Sequence, residues 1–437
     1  MGNLPLWMFV TLFFFLLIGY PVAFTIGAVA LAFGIIGFGF PFFELLPIRI
    51  WSIIQNFTLL AVPLFVFMGV TLERSGLAED LLETMGMLFG RLRGGLAISV
   101  IMVGALLAAS TGIVGATTVT MGLLALPTML RRGYSPELAT GAIAASGTLG
   151  QIIPPSIVLV VLADIVGVPV GSLFMGAVLP GMVLVGLYLV YVVIFGLFRP
   201  SAAPAFALDG DEAISKRELA RRVVRSLLPP AALILAVLGS IFVGLASPTE
   251  AAALGAFCAM LLAILNRKFS RKMLVEVMRS TTRLTSMVFI ILVGATIFGL
   301  VFRGTGGDVQ VREFLGSIAL GRWGQLILVM AALFLAGFFL DFIEITFIFV
   351  PVISPLLIHL GFDPLWFSIL IAVNLQTSFL TPPFGYALFY LKSVAPEGVT
   401  TGHIYRGIVP FVMIQIVGLT FVALFPGLVT WLPGIVF

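Results

Sequence analysis

Displaced by 228 residues, the chain lies over itself. The stretch from Pro127, PTMLRRGYSPELATGAIAASGTLGQIIPPS, aligns without a gap on the stretch from Pro355, PLLIHLGFDPLWFSILIAVNLQTSFLTPPF. Pro127 meets Pro355, Gly133 meets Gly361, Pro136 meets Pro364, and Pro154-Pro155 meets Pro382-Pro383. The same spacing sets Ala23 and Gly27 on Ala251 and Gly255. Two related halves, each with apolar segments broken at matching Gly and Pro positions, point to a membrane transporter with its site at the breaks.

The chain is 61% hydrophobic and 10% charged, with a mean hydropathy of +1.22. A soluble domain carries about a quarter charged residues. Apolar runs of about 20 residues recur from end to end, which predicts an all-α polytopic membrane protein. Short alternating segments, as a membrane barrel needs, do not occur. The start, MGNLPLW, has no basic region of a cleavable signal peptide. The one cysteine, Cys258, excludes an intrachain disulfide and a Cys metal cluster. The net charge of +4 is read through its distribution along the chain, and it carries no nucleic-acid signal.

The runs predict helices over 6–19, 21–40, 51–72, 137–165 and 172–198 in the first half, with a broken pair across 97–130. In the second they are 226–245, 249–266, 284–302, 365–391 and 404–432, with a broken pair across 323–358. This divides the chain into a repeat over 1–198, a polar connector over 199–225 and a repeat over 226–437. The connector holds Pro200, Pro204, Asp209, Gly210 and a basic run from Lys216 to Arg225, and a short surface helix is expected near its end. Each broken pair is either two thin spans or a re-entrant hairpin. Taken as hairpins, each half crosses five times and the repeats are inverted. With the connector in the cytoplasm, only Arg49, Arg303, Arg312 and Arg322 of the 23 Lys/Arg fall outside. That satisfies the positive-inside rule and sets both termini on the periplasmic side.

Four broken elements carry the chemistry: STGIVGATT (110–118), SGTLGQIIPPS (146–156), GFFLDFIEIT (337–346) and NLQTSFLTPPFG (374–385). Proline removes an N–H and clashes with the preceding turn, so each double proline frees backbone groups. Freed carbonyls with nearby Ser, Thr, Asn and Gln oxygens suit a small hard cation, and the following helix N-termini can hold a carboxylate. Asp341 and Glu344 lie three apart at the second tip, where an intramembrane acid needs a partner. Their counterparts are Ile113 and Ala116, so the acidity belongs to one half. Asp341 is expected to coordinate a cation, pair with a donor, gate the site or cap the second arm. Ser247-Pro248-Thr249-Glu250 reads as a capping box. Asp164 and Lys392 read as solvated helix ends, and His359 and His403 as loop residues. Neither a metal or nucleophile constellation nor a GxxxxGK[ST] loop is present.

With FVFMGVTLERSGLAEDLL (65–82), STGIVGATT, GYSPELATGAIAASGTLGQIIPPS (133–156), FLD (339–341), FLTPPFGYALF (379–389) and YRGIVPF (405–411), the chain resembles the large membrane subunit of tripartite ATP-independent periplasmic (TRAP) transporters over nearly its whole length. The resemblance implies sodium-driven secondary import of an organic acid into a bacterium across the inner membrane. It implies a periplasmic binding protein that delivers the cargo, a small four-helix membrane subunit, and elevator-like displacement of a transport domain against a scaffold. It carries sodium and substrate roles onto Ser110, Gly112, Gly147, Thr148 and Pro154, and onto Gly337, Asp341, Thr377, Thr381 and Pro382. Two departures bear on the substrate: the first tip has one Ser, and Phe342, Ile343 and Glu344 follow Asp341. The chain starts directly at the large subunit, so the small one is expected as a separate protein. A stand-alone symporter of a related hairpin fold is the main alternative; a channel or an intramembrane enzyme fits the residues less well.

Overall fold

The computed structural model describes residues 3–112, 114–205, 215–318, 320–382 and 385–436, the side chains of Ser110, Thr111 and Lys216 excepted. Ile113, Asp209, Gly210 and Pro383 therefore lie outside the described residues, as does the Ser110 side chain. Every described regular element is helical. The first half runs α1 (Leu4–Ile18), α2 (Val22–Phe38), α3 (Leu46–Ile54), α4 (Ala61–Arg74), α5 (Leu77–Phe89), α6 (Gly95–Thr111), α7 (Val114–Arg131), α8 (Pro136–Thr148), α9 (Ile157–Val166) and α10 (Val170–Phe198). The second runs α11 (Lys216–Phe242), α12 (Pro248–Leu265), α13 (Arg271–Gly304), α14 (Gly307–Ser317), α15 (Arg322–Ala336), α16 (Phe342–Ile348), α17 (Val350–His359), α18 (Pro364–Leu380), α19 (Tyr386–Val394), α20 (Thr401–Leu424) and α21 (Gly427–Val436). The repeat seen in sequence is a repeat of structure. Shifted by 228 residues, the bounds of α7 become the outer bounds of the α16–α17 pair, and Pro136 at the start of α8 becomes Pro364 at the start of α18.

Among the described residues five helices are long and apolar enough to cross a membrane, or seven if each of two bent pairs counts as one. The remaining apolar helices are shorter, in part because the runs 137–165 and 365–391 are shared between α8 and α9 and between α18 and α19. Each of those runs is broken in its middle, as proline demands.

Both long broken segments fold back on themselves. Gly104 of α6 packs against Ser146, while Gly147, the next residue, packs against Thr118 of α7. A continuous helix would hold residues 104 and 118 about 21 Å apart, so the chain reverses between them. The reversal stops partway through a span, because Gly112 lies against the backbone of Ile157 at the α8–α9 break. Gly112 has φ +62° and its N–H bonds the Ala108 carbonyl at 2.9 Å. That left-handed cap is why the residue is glycine. In the second half Gly337 packs on Ser378 at the end of α18, and Tyr386 at the start of α19 reaches the Phe339 carbonyl. There Asp341, in place of a left-handed glycine, opens the second arm as N-cap of α16. The arm then bends by 58° between α16 and α17, where Pro351 enters the helix.

Elsewhere the structure differs from the sequence expectations in identifiable ways. The run 51–72 is a bent pair, with α3 and its leading 3-10 turn at 58° to α4. Asn56 makes the bend: its Oδ1 accepts from the Thr58 N–H at 3.0 Å and its Nδ2 donates to Asp164 at 2.7 Å. Asp164 is thus paired, not merely solvated. The basic run of the connector forms the first turns of α11 and no separate surface helix, because Ser215 caps the helix ahead of it and Pro229-Pro230 are carried inside. The run 404–432 ends at Leu424 and restarts at Gly427 after Pro426. His359 closes α17 and His403 completes a capping box with Thr400, so neither is a loop residue. The capping box at Ser247–Glu250 is present, with Pro248 in the first turn of α12.

Small residues set a close helix crossing. A Cβ on Gly141 of α8 would strike the Gly407 carbonyl of α20, and a Cβ on Gly407 would strike the Glu137 carbonyl. Such backbone-to-backbone approach is the usual device for packing helices in lipid. Gly407→Val is expected to destabilise the chain by at least about 1–3 kcal/mol through overpacking, read as a lower midpoint of thermal unfolding in detergent. An unchanged midpoint would show that α8 and α20 do not meet there.

Candidate functional site

The two interrupted helices meet at a point of self-contact. Gln376 Nε2 donates to Thr148 Oγ1 at 3.4 Å, and these residues are 228 apart. Repeat-related residues that touch each other lie on the axis relating the repeats. The chain breaks just beyond both positions, so the unwound segments flank that axis.

Beside it lies a cavity of about 130 Å³. Its wall includes Val114, Ile157, Phe342 and Tyr386, the first residues of α7, α9, α16 and α19. Four helix N-termini, two from each half, therefore converge on one space. Their first-turn N–H groups have no partner within the helix and carry its positive end. α9 and α19 have no side-chain cap. At α16 the Asp341 carboxylate occupies that place: its Oδ1 accepts from the Phe342 N–H at 2.7 Å, while the Asp341 N–H donates to Glu344 Oε2 at 2.9 Å. Glu344 thus completes the cap. Gly112 and Gln151 reach the cavity from the first half, and Val66 of α4 with Leu284, Met287 and Val288 of α13 make an apolar side. Among the described lining residues Asp341 is the sole carboxylate, and none is Lys or Arg.

The residues singled out in sequence divide into three groups. Gly112 and Asp341 reach the cavity. Pro154, with Pro382 and Thr381, lies in the unwound segments. Gly147 and Gly337 sit where hairpin arms cross interrupted helices, Thr148 and Thr377 lie within α8 and α18, and none of the four lines the cavity. Thr148, Thr377 and Thr381 each donate to a helix carbonyl, those of Ala145, Val373 and Thr377, at 2.9, 2.8 and 2.8 Å. Their oxygen lone pairs are left to accept.

Several residues of the site were not singled out beforehand. Thr118 and Thr346, again 228 apart, both carry a buried hydroxyl oxygen without a hydrogen-bond partner, as do the amide oxygens of Gln151 and Gln376. Buried unsatisfied oxygens are costly unless something binds them. Their signal was in the sequence, as Thr at matching positions in both second arms. Tyr386 and Tyr390, one turn apart on α19, span the two tips. Tyr386 donates to the Phe339 carbonyl at 2.8 Å, and the Tyr390 ring stands over Gly115.

Comparison with known proteins now decides the family. The profile of the tripartite ATP-independent periplasmic transporter, DctM component, matches residues 9–428. The chain belongs to that family. The C4-dicarboxylate TRAP transporter large permease protein DctM of Pseudomonas aeruginosa is 33% identical over 393 residues, covering 89% of each chain. The ectoine TRAP transporter large permease protein TeaC of Halomonas elongata is 28% identical, covering 98% of this chain and 99% of the relative. Among solved structures, the YdaH transporter of Alcanivorax borkumensis superposes with a TM-score of 0.61 at 17% identity, over 90% of this chain and 89% of that one. At that identity the likeness is one of fold. As a DctM component the chain is a multi-pass transport permease of the inner membrane, not an enzyme, and its family works with a small membrane subunit and a periplasmic binding protein.

The Tyr386 bond yields a test within this site. Tyr386→Phe removes about 1 kcal/mol of hydrogen bonding from the second tip. Faster amide exchange is expected over 337–341, with α15 unchanged. Equal exchange in both proteins would show that the hydroxyl does not fasten the tip.

Proposed function

We propose that this chain imports an organic carboxylate together with sodium, the cargo arriving on a periplasmic binding protein. The observation that carries the reading is the convergence of four helix N-termini on a cavity whose described lining has Asp341 but no Lys or Arg. Helix ends favour a carboxylate, whereas Asp341 repels one. A cation bound nearby reverses that balance, which makes binding of the acid depend on the ion. The orphan oxygens of Gln151, Thr118, Thr346 and Gln376, with the freed carbonyls of the unwound segments, are the hard ligands an alkali cation takes. The dicarboxylate in the name of the Pseudomonas relative fits this chemistry.

The repeated element order supports inverted halves over 1–198 and 226–437, joined by a cytoplasmic connector over 199–225. The starts of α5, α11 and α13 and the end of α4 gather at one face, linked by Arg74–Glu276 at 3.0 Å and Arg222–Glu83 at 3.5 Å. A basic face of this kind belongs in the cytoplasm, with both termini periplasmic. The hairpins and interrupted helices then move as a transport domain, elevator fashion, against α4 and α13, whose apolar side chains face the cavity. A separate small four-helix subunit braces that scaffold.

The test is uptake into proteoliposomes holding this chain and its small subunit, with the loaded binding protein outside. Uptake is expected with an inward sodium gradient and is expected to vanish when potassium replaces sodium; equal uptake in both would overturn the sodium coupling. Asn caps helices as well as Asp does, so Asp341→Asn keeps the cap and removes the charge. It is expected to lower sodium-driven uptake by about tenfold or more, the equivalent of one lost charge interaction, with normal insertion. Full uptake by that variant would remove Asp341 from the mechanism. Pro154→Ala and Pro382→Ala are expected to impair uptake alike, since they occupy equivalent breaks.

A further inference from the structure

Away from the transport site, two cavities lie end to end along α11. The outer one, about 710 Å³, is polar. It is lined by the first turns of α5 and α11 and the end of α12, with Arg221, Arg222, Arg225 and Arg267 around it. Arg222 is engaged with Glu83 at 3.5 Å and Glu218 at 3.8 Å. The four guanidinium groups thus face three carboxylates, those of Asp80, Glu83 and Glu218, and the lining carries one net positive charge, with Arg221, Arg225 and Arg267 outside these ion pairs. Asn266 also lines the space, and its Nδ2 is a buried donor with no acceptor among the described residues. Arg267 is the one described non-glycine residue at positive φ, +55°. The chain adopts that disfavoured conformation at the turn that sets this guanidinium over the pocket.

The inner cavity, about 310 Å³, is wholly apolar in its lining, with Met102, Val103 and Leu106 of α6, Leu189 of α10, and Leu227 and Ile234 of α11. The two spaces adjoin. Thr84 lines the outer one and Met85 the inner; Ser226 lines the outer one and Leu227 the inner. The Ser226 hydroxyl donates to Thr84 Oγ1 at 3.0 Å at the boundary between them. From Leu227 the apolar crevice extends to Ile234, about 10 Å along the helix.

We propose that this pair of cavities holds one anionic phospholipid. The phosphate lies among Arg221, Arg225 and Arg267 with Asn266 donating to it, and an acyl chain fills the crevice between α6, α10 and α11. A cationic mouth at the membrane surface that continues into a dry apolar slot matches a phosphate with a tail better than a free anion. The uncharged crevice rules out a second polar group at depth.

Native mass spectrometry of the full chain, released from mild detergent with phosphatidylglycerol or phosphatidylcholine added, tests it. Phosphatidylglycerol is expected to be retained and phosphatidylcholine lost. R221Q/R225Q/R267Q is expected to lower retention by about tenfold or more, and the Arg→Lys triple variant to keep most of it. Val103→Phe, which fills the crevice and leaves the arginines intact, is expected to lower retention as well. Equal retention of the two lipids, or unchanged retention in either the Gln triple variant or Val103→Phe, would overturn the proposal. So would competition by millimolar inorganic phosphate, which would mark a site for a free anion. Should the Gln triple variant fail to fold, R225Q and R267Q alone are expected to show graded losses, and no loss in either would count against the site.

Discussion

A peptide N–H or C=O without a partner cannot be left in hydrocarbon, and the whole architecture follows from where this chain leaves such groups. It breaks helices at α6–α7, α8–α9, α15–α16 and α18–α19. Each break would be ruinous facing lipid. All four are instead gathered around one axis, with the tip of each hairpin against the break of an interrupted helix. The cavity is what remains when those ends are brought together. Four helix ends face it beside the single carboxylate of Asp341, and among the described residues no cationic side chain lines it.

That arrangement requires close approach, and the small residues are placed for it. Gly104, Gly147 and Gly150 let the first hairpin lie on its interrupted helix, while in the second half Gly337 lets Ser378 approach. The small residue has changed sides between the repeats: α8–α9 carries it at Gly150 against Ala108, and the hairpin carries it at Gly337 against α18. The contact is kept although the residues that permit it differ.

Much of this is legible in the amino-acid sequence itself. The 228-residue spacing, the double prolines and the mid-segment glycines located the breaks, because proline and left-handed glycine act locally and leave the same trace in any context. Asp341 stood out as an acid in an apolar run, and its capping role with Glu344 follows from their spacing of three. What was not legible depends on contacts across the fold. Asn56 bends α3 against α4 and holds Asp164 from 108 residues away. Tyr386 and Tyr390 read as ordinary helix residues until the two tips are seen beneath them. Thr118 and Thr346 gain meaning only from the absence of partners around buried oxygens. The joining of the basic run to the span that follows it was not legible either: the run reads as a separate surface helix, whereas Ser215 caps one helix that continues from it through Pro229-Pro230.

The repeats are not mechanical copies. In the second hairpin the returning arm bends by 58° just ahead of Pro351, whereas the matching stretch of α7 has Leu123 there and runs unbroken. A joint concentrates deformation at a few dihedrals, and an intact rod spreads it over every turn. The arm that begins with the acidic cap is thus two short segments set at an angle, while its counterpart is one unbroken helix. A chamber built from two related arms in this way has one jointed wall and one continuous wall.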